Sequence, residues 1–313
     1  MHRRSADHPL NRPWRRRELL AVGASAALPV WLPALATAAE AMPQRPIPGS
    51  ERGIPAVGLG SWITFNVGSD PQLRDECAAV MAAFFEEGGA VIDSSPMYGS
   101  SPAVIGYGLD KLERHDAVFA ADKVWTEGDG AAQVRESLND WRRSRFELLQ
   151  VHNLVAWRKQ LPLLREMKAA GELGFVGVTT SHGRRHEALE QIMRDEPVDF
   201  VQLTYNPVDR EAEQRLLPLA EDRGIAVIVN RPFRRGALTE RLADIPLPDV
   251  ARELEARSWA QLILKFILAH PAVTCPIPAT TRVDHVRENL RAARGPLPSE
   301  RQCEAIATAI RAA

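Results

Sequence analysis

The feature that most constrains this chain is a rhythm of short apolar runs. Eight of them recur along it: "AVGLG" (56–60), "AVID" (90–93), "AVFAA" (117–121), "ELLQV" (147–151), "FVGV" (175–178), "FVQL" (200–203), "IAVIV" (225–229) and "VTCPI" (273–277). The runs are continuous rather than alternating, as strands covered on both faces require. Helical patterns fill the spaces, among them "AAQVRESLNDWRRS", "SWAQLILKFILAH" and "EAEQRLLPLAEDRG", the last closed by Gly224 at a helix C-cap position. Parallel strands need such crossovers, so the pattern predicts an α/β fold, a (β/α)8 TIM barrel forming a single domain over residues 56–295. No Gly-rich GxGxxG turn follows a strand, which argues against a doubly wound dinucleotide domain. The Pro-rich segment 39–55 reads as a linker and N-terminal cap. Residues 296–313 read as a helical tail opened by a capping box at Ser299 and Gln302.

Composition narrows the function classes. The chain has 313 residues, 45% hydrophobic and 25% charged, with a formal net charge of -1. This suits a soluble globular protein and gives no electrostatic case for nucleic acid. Cys77, Cys275 and Cys303 are widely spaced and form neither a metal-ligand nor a redox-pair motif. The N-terminus is different in kind: six arginines lie within residues 1–17, followed by an apolar, Ala-rich stretch ending in small residues around Ala34, Ala36 and Ala38. This resembles a twin-arginine export signal over residues 1–38, with Arg16 and Arg17 as the pair. It implies the twin-arginine machinery as a partner and a periplasmic or exported protein. The membrane would then be touched only through the signal segment, which would become an anchor if left uncleaved.

In a barrel of this kind the chemistry sits at the C-terminal ends of the strands. Asp93 ends the second run, Tyr98 follows in "SPMYG", Lys123 lies just past the third in "ADKVW", and His152 ends the fourth in "LLQVHN". Each alone has a structural explanation as a cap or a satisfied polar residue. Together they bring an acid, a phenol, an ammonium and an imidazole to one mouth. A free phenol has a pKa of about 10, and an adjacent ammonium is expected to lower it. Asp93 would orient the lysine, and His152 would hydrogen-bond a carbonyl oxygen. Trp62, Phe65, Met97, Trp125 and Asn153 follow strand ends and would wall an apolar carbonyl substrate.

These residues reach a known family. Across about residues 47–295 the chain resembles the aldo-keto reductases, through "GLGSW", "AVID" with "SPMYG" close behind it, "DKVW", "LLQVHN", "GFVGVT", "FVQLTYN", "RGIAVIVNRPF" and "IPATTRVDHVREN" in the family's order. It looks most like a subgroup with an export signal that reads NRPF where many relatives have an aromatic-Ser-Pro sequence. The resemblance implies an NADPH-dependent reductase of aldehydes or ketones, NADH being the lesser cofactor. Tyr98 is then the general acid, Lys123 its partner, Asp93 the lysine's support and His152 the carbonyl orienter. It further implies Thr179 and Gln202 at the nicotinamide carboxamide, and Arg231, Arg234 and Arg235 at the pyrophosphate. Arg282 would lie near the 2′-phosphate, with His285 and Asn289 near adenine. The chain departs from many relatives at Thr179 and Thr180, where they carry Ser-Asn, and at Asn230, where they stack a tyrosine on the nicotinamide unless Tyr205 or another ring replaces it here. Two other classes stay open at this point: a Schiff-base lyase using Lys123, and an exported, non-catalytic nucleotide-binding or sensing protein on the same fold.

Overall fold

The computed structural model describes residues 41–313; the segment read as an export signal lies outside the described residues. A hairpin of β1 (Gln44–Pro46) and β2 (Gly53–Pro55) comes first, in the segment expected to be linker and cap. Eight parallel strands follow in sequential order: β3 (Leu59–Gly60), β4 (Val91–Asp93), β5 (Phe119–Val124), β6 (Phe146–Val151), β7 (Leu173–Thr179), β8 (Phe200–Thr204), β9 (Ala226–Asn230) and β10 (Val273–Pro276). The ring closes where Gly58 N–H donates to Pro276 O (2.9 Å) and Gly60 N–H donates to Pro278 O (3.1 Å). The expected (β/α)8 barrel is therefore the observed one.

Eleven α-helices are described: α1 (Pro71–Glu86), α2 (Ser101–Leu112), α3 (Gly130–Trp141), α4 (Trp157–Ala169), α5 (His186–Asp195), α6 (Leu216–Arg223), α7 (Ala237–Arg241), α8 (Val250–Glu253), α9 (Trp259–Ala269), α10 (Val283–Arg291) and α11 (Glu300–Ala312). Local chemistry sets their ends. Asp70, Asp129 and Ser258 accept the backbone N–H of Leu73, Ala132 and Gln261 at the starts of α1, α3 and α9, and Ser299 with Gln302 forms the capping box of α11. The pattern over 211–224 predicts one helix, but the chain makes a short 3₁₀ turn at Glu211–Gln214 and begins α6 only after Arg215. Pro218 explains the break. It has no N–H to offer the Gln214 carbonyl, and its ring occupies that carbonyl's space.

Strand parity builds two cores. Val91, Phe119, Leu148, Phe200, Ala226 and Ile228 pack inside the barrel, while Ile92, Ala120, Leu149, Val201, Val227 and Val229 pack under the helices. Both faces are dry, which is why the runs read as continuous. Ile47 and Ile54 of the hairpin belong to the inner cluster, and Arg52 lies over Phe119, so the hairpin seals the end of the barrel away from the strand C-termini. Above the apolar layer comes a polar one.

Candidate active site

Inward parity continues from Val91 to Asp93, from Ala121 to Lys123, from Leu148 to Gln150, and from Phe200 to Gln202. All four polar residues are buried. Lys123 Nζ donates to Asp93 Oδ1 at 2.5 Å and to Ser94 O at 2.6 Å. The other carboxylate oxygen of Asp93 accepts from Gln202 Nε2 (2.9 Å) and Gln150 Nε2 (3.3 Å). Gln150 has room because β7 carries Gly177 beside it; a Cβ there would come within 2.7 Å of Phe200 O and 3.1 Å of Gln150 Cγ. A buried ion pair survives when its remaining lone pairs and protons are satisfied. Here the amides supply that.

Over this pair stands Tyr98. Its ring centre is 5.0 Å from Lys123 Nζ, 5.6 Å from the His152 ring in an edge-on contact, and 6.5 Å from Trp62. The loop that holds it is a single 3₁₀ turn, Pro96–Tyr98, started by Ser95 and ended by Gly99 at φ 62°. The Asn66 side chain crowds Gly99 so closely that a Cβ would sit 2.4 Å from its Oδ1. Only glycine fits both the positive φ and the contact.

Burial sets the protonation states. Burial pushes Tyr98 above the ordinary phenol value, and the Lys123 ammonium opposes this without winning. The expectation of a lowered phenol is thus corrected, because desolvation outweighs the nearby charge. Lys123 is held above its usual value by Asp93 and Tyr98 against its own burial, so it stays cationic. Burial and then Lys123 drive His152 down to about 2, leaving a neutral imidazole.

Ser95, which the sequence did not single out, fixes the tautomer of that imidazole. Its Oγ accepts from Met97 N–H (3.2 Å) and lies 2.8 Å from His152 Nδ1. Among the described residues Nδ1 is the one acceptor within reach of the hydroxyl proton, an arrangement that favours the imidazole proton on Nε2.

Asp93, Tyr98 and His152 open onto one cavity of about 1120 Å³. It also reaches Trp62, Met97, Trp125, Asn153, Thr179, Gln202, Arg231, Arg235, His285 and Asn289. Four expected residues do not line it: Lys123 lies beneath Tyr98, and three others lie elsewhere. Phe65 is fully buried in the helix-side core, because the loop after β3 folds back with Phe65 N–H donating to Ser61 O. Arg234 pairs with Asp209 at 3.2 Å, and Arg282 pairs with Asp284 at 2.5 Å on the surface. Gln202 lines the cavity but spends its amide on the interior, donating to Asp93 and accepting from Asn230 Nδ2 at 3.4 Å. Asn230 also donates to Thr180 O and accepts from Thr204, so it braces strand ends rather than offering a flat face. Tyr205 is buried against Phe266 with its hydroxyl donated to Glu213, away from the cavity. Lys123 is buried behind Tyr98 with two acceptors engaged, which leaves it poorly placed to attack a substrate carbonyl as a Schiff-base lysine must.

Sequence reasoning also passed over "SHGRRH". Ser181, His182, Arg184 and Arg185 of this loop after β7 join the cavity rim. A run of small and basic residues past a strand end was the available signal. Asp122, the outward neighbour of Lys123, was passed over too: its carboxyl is fully buried, and that burial pushes it up to about 7 against the opposing pull of Lys123 and Ser137.

Comparison with known proteins agrees with this architecture. The chain is 29% identical over 258 residues to an uncharacterized oxidoreductase of Schizosaccharomyces pombe, covering 78% of this chain and 80% of that one. It is 26% identical over 246 residues to a methylglyoxal reductase of Escherichia coli, covering 75% and 84%. Its fold superposes on an aldo-keto reductase from Klebsiella pneumoniae, solved in complex with NADPH, with a TM-score of 0.69 at 22% identity over 85% of this chain and 94% of the other. Residues 56–309 match the Aldo/keto reductase family along nearly the whole barrel, and the chain is an oxidoreductase belonging to that family.

Proposed function

We propose that this protein reduces an aldehyde or ketone to an alcohol with NADPH, using Tyr98 as the general acid. The observation that carries the reading is the stack of Asp93, Lys123 and Tyr98 beside a neutral His152, open to a cavity larger than a small substrate needs. The His152 Nε2–H can donate to a carbonyl oxygen without being charged. Tyr98, kept protonated by burial, can transfer its proton to that oxygen as negative charge develops, and Lys123 stabilises the phenolate left behind.

A dinucleotide fits the remaining space. Among the described residues Thr180 Oγ1 and Arg231 Nε are buried on the cavity wall without a partner, so an amide and a phosphate would find a waiting hydroxyl and guanidinium. The K. pneumoniae relative was solved with NADPH. The bound cofactor supplies hydride; the protein supplies orientation and the proton. Thr179, His285 and Asn289 lie where they could contact it. We further propose that the protein acts outside the cytoplasm, on the strength of the arginine-rich, Ala-rich first 38 residues; fusion of that segment to a reporter, with Arg16 and Arg17 replaced by Lys in a control, tests it.

Fluorescence titration with NADPH and NADH followed by a panel of aldehydes and ketones tests the reductase. Saturable, NADPH-preferring binding with turnover is expected. Binding without turnover of any carbonyl would favour the sensing role over the reductase.

A further inference from the structure

The rim of the cavity carries more positive charge than the acid-bearing floor explains. Arg184, Arg185, Arg231 and Arg235 reach it from the loops after β7 and β9. Among the described residues none of these four forms an ion pair with a carboxylate. Arg234, the neighbour that does, is turned away to Asp209. The guanidinium groups act on one another. Burial first, then Arg235, Arg234 and Arg184, hold Arg231 below its usual value, while burial and then Arg231, Arg184 and Arg235 hold His182 down. Asp209 opposes this at both groups and Glu288 also lines the cavity, but the guanidinium groups outnumber these carboxylates, and like charges in excess are unfavourable until an anion arrives.

Arg235 is on the substrate side of this cluster. Its Cζ lies 4.0 Å over the Trp62 ring, and Trp62 in turn is 6.5 Å from Tyr98. Legs of 4.0 Å and 6.5 Å bound the guanidinium at 10.5 Å from the Tyr98 ring centre, within the span of a small molecule whose carbonyl meets the phenol. An indole face orients the guanidinium plane and leaves its N–H edge free, the arrangement that suits a bidentate carboxylate or phosphate.

We propose that Arg235, held on Trp62, is the seat for an anionic group of the substrate, so that the preferred substrates are carbonyl compounds carrying a carboxylate or phosphate a few bonds from the aldehyde or ketone. This rests on the reductase reading above and replaces the expected role of Arg235 at the pyrophosphate.

Two matched pairs test it with NADPH as donor: succinic semialdehyde against butanal, and glyceraldehyde 3-phosphate against glyceraldehyde. In the unaltered protein kcat/KM should favour the anionic member of at least one pair by tenfold or more, and the pair showing it separates carboxylate from phosphate. Arg235→Leu should reduce that preference at least tenfold, chiefly through KM, and Arg235→Lys should retain part of it because charge remains without the planar fork. NADPH affinity is measured alongside. Reduction of the neutral aldehydes with no anionic preference would overturn the inference while leaving the reductase reading intact. So would an Arg235→Leu variant that weakens NADPH binding and leaves the ratios unchanged, since Arg235 would then serve the cofactor. Failure to reduce any of the four by a protein that binds NADPH would overturn this inference, and the reductase reading falls with it only if the wider panel of aldehydes and ketones is also left untouched.

Discussion

The floor of the cavity and its rim are built on opposite plans. Floor residues sit at or just past strand ends, and each polar group is answered by another: Asp93 by Lys123 and two amides, the His152 imidazole by Ser95. The rim lies on loops with costly backbone. Of the twelve described non-glycine residues with positive φ, nine fall in loops at this mouth, from Ile63 after β3 to Arg231, Arg234 and Arg235 after β9. Two of the others, Glu113 and Arg142, are helix C-caps. Each such residue costs about 1 kcal/mol. The floor satisfies its own polar groups, whereas Arg184, Arg185, Arg231 and Arg235 of the rim pair with no carboxylate among the described residues.

The largest effect should come from breaking the floor at the atom that reacts. Tyr98→Phe is expected to lower kcat for carbonyl reduction by about 10³-fold, with NADPH affinity within about twofold by titration. Comparable losses in both would mean that the floor also holds the cofactor. Lys123→Met is a poorer probe, since it leaves Asp93 buried without its cation and should cost about 3–5 kcal/mol of stability.

Next comes Ser95→Ala. Without the hydroxyl at Nδ1, His152 can take either tautomer, and kcat should fall by about 10-fold, equivalent to about 1.4 kcal/mol, with KM little changed. ¹⁵N chemical shifts of His152 provide the readout a packing defect would not move: Nε2–H in the unaltered protein, a mixture in the variant. An unaltered spectrum would remove Ser95 from the mechanism.

Asp122 sharpens the comparison from behind the floor. Its folded pKa, about 7, lies above its ordinary 3.8. Protons are therefore held more tightly by the folded chain, and the stabilisation, full below the unfolded value, is lost as pH rises through about 7. Asp122→Asn should remove that slope and raise stability at pH 8 by a few kcal/mol, on the order of the shift itself. Chemical denaturation at pH 5 and pH 8 measures both.

The smallest expected effect is an absence of one. With Tyr98 raised and His152 already neutral at about 2, kcat in the reductive direction should stay flat from pH 5 to pH 9 and fall only where the phenol ionises, above its ordinary 10. A basic limb near pH 8 would show that bound cofactor lets Lys123 prevail over burial.

The legibility of the sequence follows the same division. Asp93, Lys123 and His152 could be read because strand ends follow from local apolar runs, and parity then aims the side chains. The hairpin was harder. Ile47 and Ile54 flank a turn in "RPIPGSERGIP" and become barrel-core residues, but the prolines make the stretch read as linker and cap rather than as paired strands. Phe65 was misplaced because an aromatic after a strand end says nothing about whether its loop turns outward or back. Ser95 and the stack of Arg235 on Trp62 depend on contacts between segments 57 and 173 residues apart, which no local pattern encodes.

Strand parity in β5 has a consequence for how this barrel can vary. Phe119 and Ala121 face inward and Ala120 outward, so Asp122 and Lys123 stand back to back across one strand. Removing a single residue between 119 and 122 would exchange their faces, presenting a carboxylate to Asp93 and driving an ammonium under α3. Substitutions can be tried one at a time along this strand, but its length is fixed by an acid and a base that must never trade sides.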